Sequence, residues 1–374
     1  MLRFSGFDDE WNEVKLGDIS TFLDNKRIPL KEDDRKQIKG EYPYYGASGI
    51  IDYVNDYIFD EELILMGEDG ANIVTRSSKL IFLAKGKYWV NNHAHVIKAD
   101  NNINQYFLSE SLERINYEKY NTGTAQPKLN REVCQKIKVK IPQFNEQNKI
   151  ANFLLVIDEK LRLLEQKYQY YQNFKKYLMQ QIFTQKLRFD DNCHYKTKKV
   201  KDFLTESKIE GTDDINKRLT VKLNLKGITV RESKTIEKEG ATKQFIRKSG
   251  QFIYGKQNLH KGAFGIVPKE LDGYLSSSDI PSFDFKGEIE PKWFYYYFSR
   301  KSFYESLESL STGTGSKRIS PKEFLNIKLI VPELKEQHRI VCLFAKVDEE
   351  INGISNQILQ MNRFKKSLLQ QMFV

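Results

Sequence analysis

Residues 122–183 recur at 312–373, an offset of 190, without a single insertion, and eighteen of the 62 paired positions are identical. The matches include Pro142/Pro332, Glu146/Glu336, Gln147/Gln337, Asp158/Asp348 and Phe174-Lys175-Lys176/Phe364-Lys365-Lys366. One interval this long means two copies of a whole domain with its helix, which excludes a solenoid of short repeats. A looser match joins residues 14–19 to 198–203, now at an offset of 184. Between these anchors, in 20–120 and 204–310, the copies share little. The plan is variable, shared, variable, shared, as two different readers on one frame would require.

Each shared piece predicts a long helix. Pro142 and Pro332 stand where a proline is tolerated, just ahead of a helix start. Apolar residues then alternate at steps of four and three: Ile150, Leu154, Ile157, Leu161, Leu164, and in the second copy Ile340, Phe344, Val347, Ile351, Ile354. That spacing is a coiled-coil seam. A helix of about 38 residues is roughly 57 Å long at 1.5 Å per residue. Two such rods, paired antiparallel, hold two domains apart with approximate two-fold symmetry. Equivalent major-groove faces of duplex DNA recur about every 34 Å, so the rods suit a split target, and they suit equally a plain dimerisation stalk. The seam runs on through Tyr168 and Tyr171, and Ile358 and Met361, and Lys175 and Lys365 fall on the position after those. A lysine there can set register; the preferred reading turns the seam outward and gives the burial to Phe174 and Phe364. Asp158-Glu159-Lys160 reads as a solvated helix face.

The variable pieces carry mixed α/β signals. Apolar runs at 63–66 and 80–83, separated by glycines, predict strands, and a helix follows at 104–114. The second piece has runs at 251–254 and 265–267, then a helix over 291–307. Its aromatic run from Trp293 to Phe298 is read as core packing, since a helix apolar all round is a buried one.

The composition narrows the chemistry. With 40% hydrophobic and 29% charged residues the chain reads as globular and soluble, and it has no apolar run of membrane-spanning length or secretory leader. Three scattered cysteines suit a reducing cytoplasm and form no disulfide or zinc pattern. The net charge of +10, with 20 Tyr and 24 Phe, fits a nucleic-acid partner and also a merely basic protein. Gly313–Arg318 lacks the spacing of a phosphate-wrapping loop. No signature of an amino-methylating enzyme is present. His93 and His95 alternate as ligands on a strand would, but no acid or cysteine completes a set; hydrogen bonding to DNA or to the surrounding core are the other readings.

The segments Ile141-Pro142-x-x-x-Glu146-Gln147-x-x-Ile150 and Val331-Pro332-x-x-x-Glu336-Gln337-x-x-Ile340, each after a Thr-Gly-Thr turn, resemble the specificity subunit of type I restriction–modification systems. YPYYGASGIIDYV (42–54), LILMGEDGA (63–71) and WVNNHAHV (89–96) look like that family's target recognition domain. The likeness spans essentially the whole chain. It implies an α+β fold of two mixed α/β recognition domains joined by two long antiparallel coiled-coil helices with pseudo-two-fold repetition. Domains would be 1–143 and 188–333, helices 144–187 and 334–374. It further implies a non-catalytic cytoplasmic subunit whose two domains read the halves of a bipartite, asymmetric double-stranded DNA target. Two methyltransferase subunits would dock on the helices and methylate adenine with S-adenosylmethionine, and motor–endonuclease subunits would use ATP and Mg. Carried over by position, Tyr44, Tyr45, Ser48, Gly49, Asn72, Asn91, Asn92 and His93 would face DNA in the first domain. The second domain departs from that pattern, and its equivalents are Lys256, Gln257, Asn258, His260 and Lys261, then Ser276, Ser277 and Ser278. Thr124, Gln126 and Lys128, with Thr314, Ser316, Lys317 and Arg318, would contact phosphates or help open the target base pair; the alternative is a purely structural turn. Two other readings compete: a coiled-coil scaffold without DNA readout, and a stand-alone methyltransferase or nuclease.

Overall fold

The two proline-led heptad segments fold as helices of 40 and 39 residues, Phe144–Phe183 and Leu334–Met372. They belong to a computed structural model that describes residues 2–123, 126–232, 242–311 and 317–373. The chain forms two units, one of Met1–Leu164 with Ile358–Val374 and one of Glu165–Gln357. Each long helix thus begins in one unit and ends in the other.

Within the first unit, Asn12–Lys15 pairs antiparallel with Lys138–Ile141, Val14 opposite Val139. A four-stranded sheet has the order Ser20–Phe22, Ala94–Ala99, Leu63–Gly67, Ile81–Ala84. The run Leu63-Ile64-Leu65-Met66 is apolar throughout because both its faces are buried. A second sheet orders Gly49–Val54, Lys39–Gly46, Lys87–Val90 and Phe59–Asp60, and its central pair is parallel. Asn104 caps the helix Gln105–Glu113, its side chain accepting from the Phe107 amide at 2.9 Å.

The second unit repeats this frame. Tyr195–Lys199 pairs antiparallel with Lys328–Pro332, and Lys198 lies opposite Leu329. Those residues are 184 and 190 positions beyond Val14 and Val139, so the two sequence offsets meet in one ribbon and the change of register falls inside the variable piece. The four-stranded sheet keeps its order as Leu204–Ser207, Ser282–Phe285, Phe252–Tyr254, Phe264–Ile266. The second sheet does not: Glu210–Gly211, Gln244–Arg247 and Tyr274–Ser277 are all antiparallel. The aromatic run is buried as expected, from Trp293 through Phe298 apart from half-buried Tyr295. The single helix expected over 291–307 is instead two, Pro291–Phe298 and Lys301–Ser306. Arg300 breaks it by adopting an extended backbone, with its guanidinium 4.0 Å above the Tyr297 ring.

The shared Pro-x-x-x-Glu-Gln motif fastens each long helix to its own domain. Gln147 donates to the Pro142 carbonyl at 2.9 Å and accepts from the Asn104 amide at 2.9 Å. Gln337 does the same with Pro332, at 2.9 Å, and the Glu290 amide, at 2.8 Å. Each glutamine satisfies a backbone group at the start of the domain's own helix, where such groups lack partners. Glu146 takes a two-pronged contact from Arg3 at 2.9 and 2.7 Å, whereas Glu336 accepts from the Phe189 amide.

The seam residues Ile150, Leu154, Ile157 and Leu161 are buried in the first unit's core, and Ile340, Phe344, Val347 and Ile351 in the second's; Ile354 is buried and Leu164 only half-buried. In the second unit Phe183 stacks on Phe344 and Lys175 meets Asp348, so the helices run antiparallel there. The lysine reading needs correction. Lys365 is 9% exposed, bonded to Asp158 at 2.6 Å and Glu110 at 3.3 Å, while Phe364 stands 50% exposed. Lys175 likewise bonds Asp348, and Phe174 is 37% exposed. Asp158 is therefore not a merely solvated acid: it also accepts from the Tyr106 hydroxyl at 2.6 Å, as Asp348 does from Tyr296 at 2.8 Å. A lysine goes inward because its carboxylate and phenol await it.

Candidate nucleic-acid interface

In each unit one end of the four-stranded sheet gathers the candidate residues, and backbone hydrogen bonds build both ends alike. The central strand of the first unit ends at Gly67, and Glu68 then accepts from the Leu129 amide at 2.8 Å and donates to the His93 carbonyl at 2.9 Å. In the second, Lys256 after Gly255 accepts from Ile319 at 2.9 Å and donates to Asp279 at 2.9 Å. Glu68 and Lys256 are thus structural equivalents.

Two glycines make the first end possible. A Cβ on Gly67 would lie 2.6 Å from the Ala47 carbonyl oxygen, so only glycine lets the hairpin tip at 46–49 approach. A Cβ on Gly123 would lie 1.8 Å from the Gln126 carbonyl oxygen. The turn is closed further by Thr122 donating to the Lys128 carbonyl and by Asn121 accepting from the Gly123 and Lys128 amides. Its glycine has a structural task. Thr124, Thr314 and Ser316 lie outside the described residues.

The first end presents Ser48, Asn92, His93, Gln126 and Lys128 to solvent, with Gly49 and Tyr45 half-buried beside them. His93 is 51% exposed at its side chain and meets Asp69 at 2.7 Å; Lys128 reaches Glu68 at 3.3 Å. Three expected DNA-facing side chains are committed elsewhere. Tyr44 is buried and its hydroxyl accepts from the Leu30 amide at 2.8 Å. Asn91 is buried and shapes the turn by accepting from the His93 amide at 2.8 Å. Asn72 closes its own loop, accepting from the Ser78 amide at 3.0 Å. Tyr45 packs on Phe82 and Tyr88, and burial raises its phenol.

Beneath this surface lies a charged layer that the sequence reading missed. His95 contacts Asp24 at 2.7 Å through Nδ1 and the Leu129 carbonyl at 2.8 Å through Nε2. Burial alone would lower its pKa, but hydrogen bonds to Asp24 and Cys134 prevail and raise it to about 10. At neutral pH the ring is an imidazolium that donates from both nitrogens. Arg27 joins Glu68 at 2.7 Å and the Ala94 carbonyl at 2.9 Å. The buried cations here are matched by Asp24 and Glu68. His95 holds the turn and supports the surface from below.

At the second end Gln257, Lys261, Ser278, Lys317 and Arg318 are exposed, while Lys256, Asn258 and Ser277 are half-buried. Lys317 pairs with Glu308 at 3.1 Å, and Arg318 with Asp279 at 3.2 Å. His260 and Ser276 are buried, against expectation. The Ser276 hydroxyl accepts from Arg247 Nε at 2.6 Å and donates to the Ile280 carbonyl at 2.8 Å, a core role. Arg247, on the strand Gln244–Arg247, was not singled out by the sequence reading. No helix among the described residues is long and apolar enough to cross a membrane.

The family described as "Type I restriction modification DNA specificity domain" matches residues 8–170 and again 184–361. A Haemophilus influenzae protein named as a type I restriction enzyme specificity subunit is 25% identical over 94% of this chain and 90% of its own length. The Methanocaldococcus jannaschii type I restriction enzyme MjaVIII specificity subunit is 23% identical over 96% and 91%. The S subunit of a type I restriction–modification system from M. genitalium superposes with a TM-score of 0.66 at 14% identity, covering 100% of this chain and 98% of that one. That last likeness is one of fold.

Proposed function

Since the chain belongs to the type I restriction–modification DNA specificity family, we propose that it is the subunit that reads the DNA target for its complex. Each unit reads one half of a bipartite, asymmetric double-stranded sequence. The long helices set the spacing and dock two methyltransferase subunits, which bind S-adenosylmethionine and methylate adenine. Motor–endonuclease subunits with ATP and Mg complete the cytoplasmic complex. This chain supplies the address and holds none of those cofactors.

One observation carries the reading. The two units build their sheet ends with the same backbone bonds but different chemistry, an acid at Asp69 in one and the amide of Gln257 in the other. A shared frame with unlike tips suits two different half-sites, since bases are told apart by the donors and acceptors brought to them. The docking role is supported by an apolar stripe at seven-residue steps on the first long helix: Val156, Leu163, Tyr170 and Tyr177 are all exposed. The second helix has Lys346, Gly353, Gln360 and Ser367 at those positions. Co-expression with the cognate methyltransferase, followed by mapping of methylated adenines, is expected to give one split asymmetric motif. A contiguous motif, or no methylation, would contradict the proposal.

A further inference from the structure

The second unit contains a cationic cavity of about 560 Å³. Arg247, Lys256, Lys208, Lys322, Glu206 and Phe245 line it. Lys208 is neutralised by Glu206 at 3.0 Å. The other three cations have no carboxylate within ion-pair distance among the described residues. Arg247 is the unusual one. It is 1% exposed, and its hydrogen bonds go only to neutral oxygens: the Ser276 hydroxyl at 2.6 Å, the Ser282 hydroxyl at 2.7 Å, and the carbonyls of Ser207, Ser276 and Ser277, each at 3.4 Å, with the Phe245 ring 5.4 Å from the guanidinium.

A buried charge is ordinarily paired, because removing it from water is costly. The first unit obeys this rule with Asp24 and Glu68 beneath its interface. In the second, Lys256 occupies the place of Glu68, and Arg247, on a strand of the sheet that differs between the units, is buried beside it without a bonded carboxylate. Burial pushes the Arg247 guanidinium down to about 10, still charged at neutral pH. The cavity adjoins Lys256 and the Ser320–Pro321 turn that follows Arg318, at the end of the sheet assigned to DNA. Its room exceeds a bare phosphate, and Phe245 adds an apolar wall fit for a sugar.

Resting on the DNA-reading role proposed above, we infer that this cavity receives one sugar–phosphate unit of the DNA backbone at the second half-site. Lys256 and Lys322 contact the phosphate, and Arg247 supplies a fixed positive field from below. The contact anchors the second unit on its half-site without reading a base, since phosphates carry no sequence information directly.

The test uses the chain assembled with its methyltransferase partner. Duplex affinity is measured against salt concentration for the wild type, for Lys256→Ala/Lys322→Ala, and for Lys128→Ala as a first-unit comparison. Lys322 and Lys128 are exposed and Lys256 is half-buried, so the variants avoid the folding risk of Arg247→Met. The double variant is expected to lose about one unit of log–log salt slope and about tenfold in affinity at moderate salt. Inorganic phosphate should raise the thermal midpoint of the wild type above that in chloride of equal ionic strength, and not that of the double variant. Unchanged slope and affinity in the double variant, with Lys128→Ala reduced, would overturn the inference and leave the DNA-reading role standing. Loss of the phosphate effect with an unchanged slope would assign the cavity to free phosphate and also overturn it. A wild-type complex that binds no duplex would remove the role itself, and the inference with it.

Discussion

At the scale of single residues, the first unit's interface rests on one protonated histidine. His95 is raised from 6.5 to about 10, so its pairing stabilises the fold fully below about pH 6.5 and fades as pH rises through about 10. Asp24 reports the same contact from the other side. Burial would raise its carboxyl, yet the hydrogen bond and charge of His95 hold it below 3.8, so that share is present above that value and lost as pH falls. Unfolding followed by urea across pH 5–10 should therefore show the wild type most ahead of His95→Gln near pH 6, with the gap closing towards pH 10. A gap that widened with rising pH would mean that the ring is neutral in the fold. Sequence reading noticed His93 and His95 for their alternation, and only the family resemblance set His93 apart as DNA-facing. One meets solvent and the other lies over Asp24, 71 positions earlier in the chain. Nothing local in the sequence records that partner.

At the scale of elements, the long helices were legible because a seam repeats its own rule every seven residues. Their lysines were misread because burial of a cation depends on distant groups. Lys365 is buried only because Asp158, Glu110 and Tyr106 surround it, and they come from elsewhere in the first unit. In the second copy Arg300 stands in place of Glu110, leaving Lys175 with Asp348 and Tyr296. This difference predicts unequal costs. Lys365→Ala should destabilise by about 2 kcal/mol, short of a fully buried pair because Asp158 keeps some solvent contact, and Lys175→Ala by about 1 kcal/mol. Thermal unfolding of the two variants checks the order; equal losses would show that Glu110 contributes nothing. The strands and the interface loops were harder to foresee. The four-stranded sheet has one order in both units, yet its sequences show little agreement. A buried strand asks for apolar residues and accepts many, so the architecture persists while identity is lost.

At the scale of the whole molecule, the duplication explains both what repeats and what differs. The fastening glutamines, the Lys–Asp–Tyr groups and the four-stranded frame come twice because each unit must hold the start of its own helix and the end of the other's. On the proposed reading, the tips differ because each faces a different half-site. Of the candidate interface, the sequence named segments that gather at one end of each four-stranded sheet but not the orientation within them: Tyr44, Asn91, His260 and Ser276 turn inward, and Arg27, Glu68 and Arg247 hold buried or half-buried charge that went unnoticed. The central claim is that the units read independently. It is tested by mapping methylated adenines in cells that carry the cognate partner with either Asn92→Ala/His93→Ala or Gln257→Ala/Ser278→Ala. The account predicts that each variant alters or relaxes one half of the split motif, a different half for each, while the other half stays as in the wild type. If either variant shifts both halves together, the units do not read separately and the account is wrong.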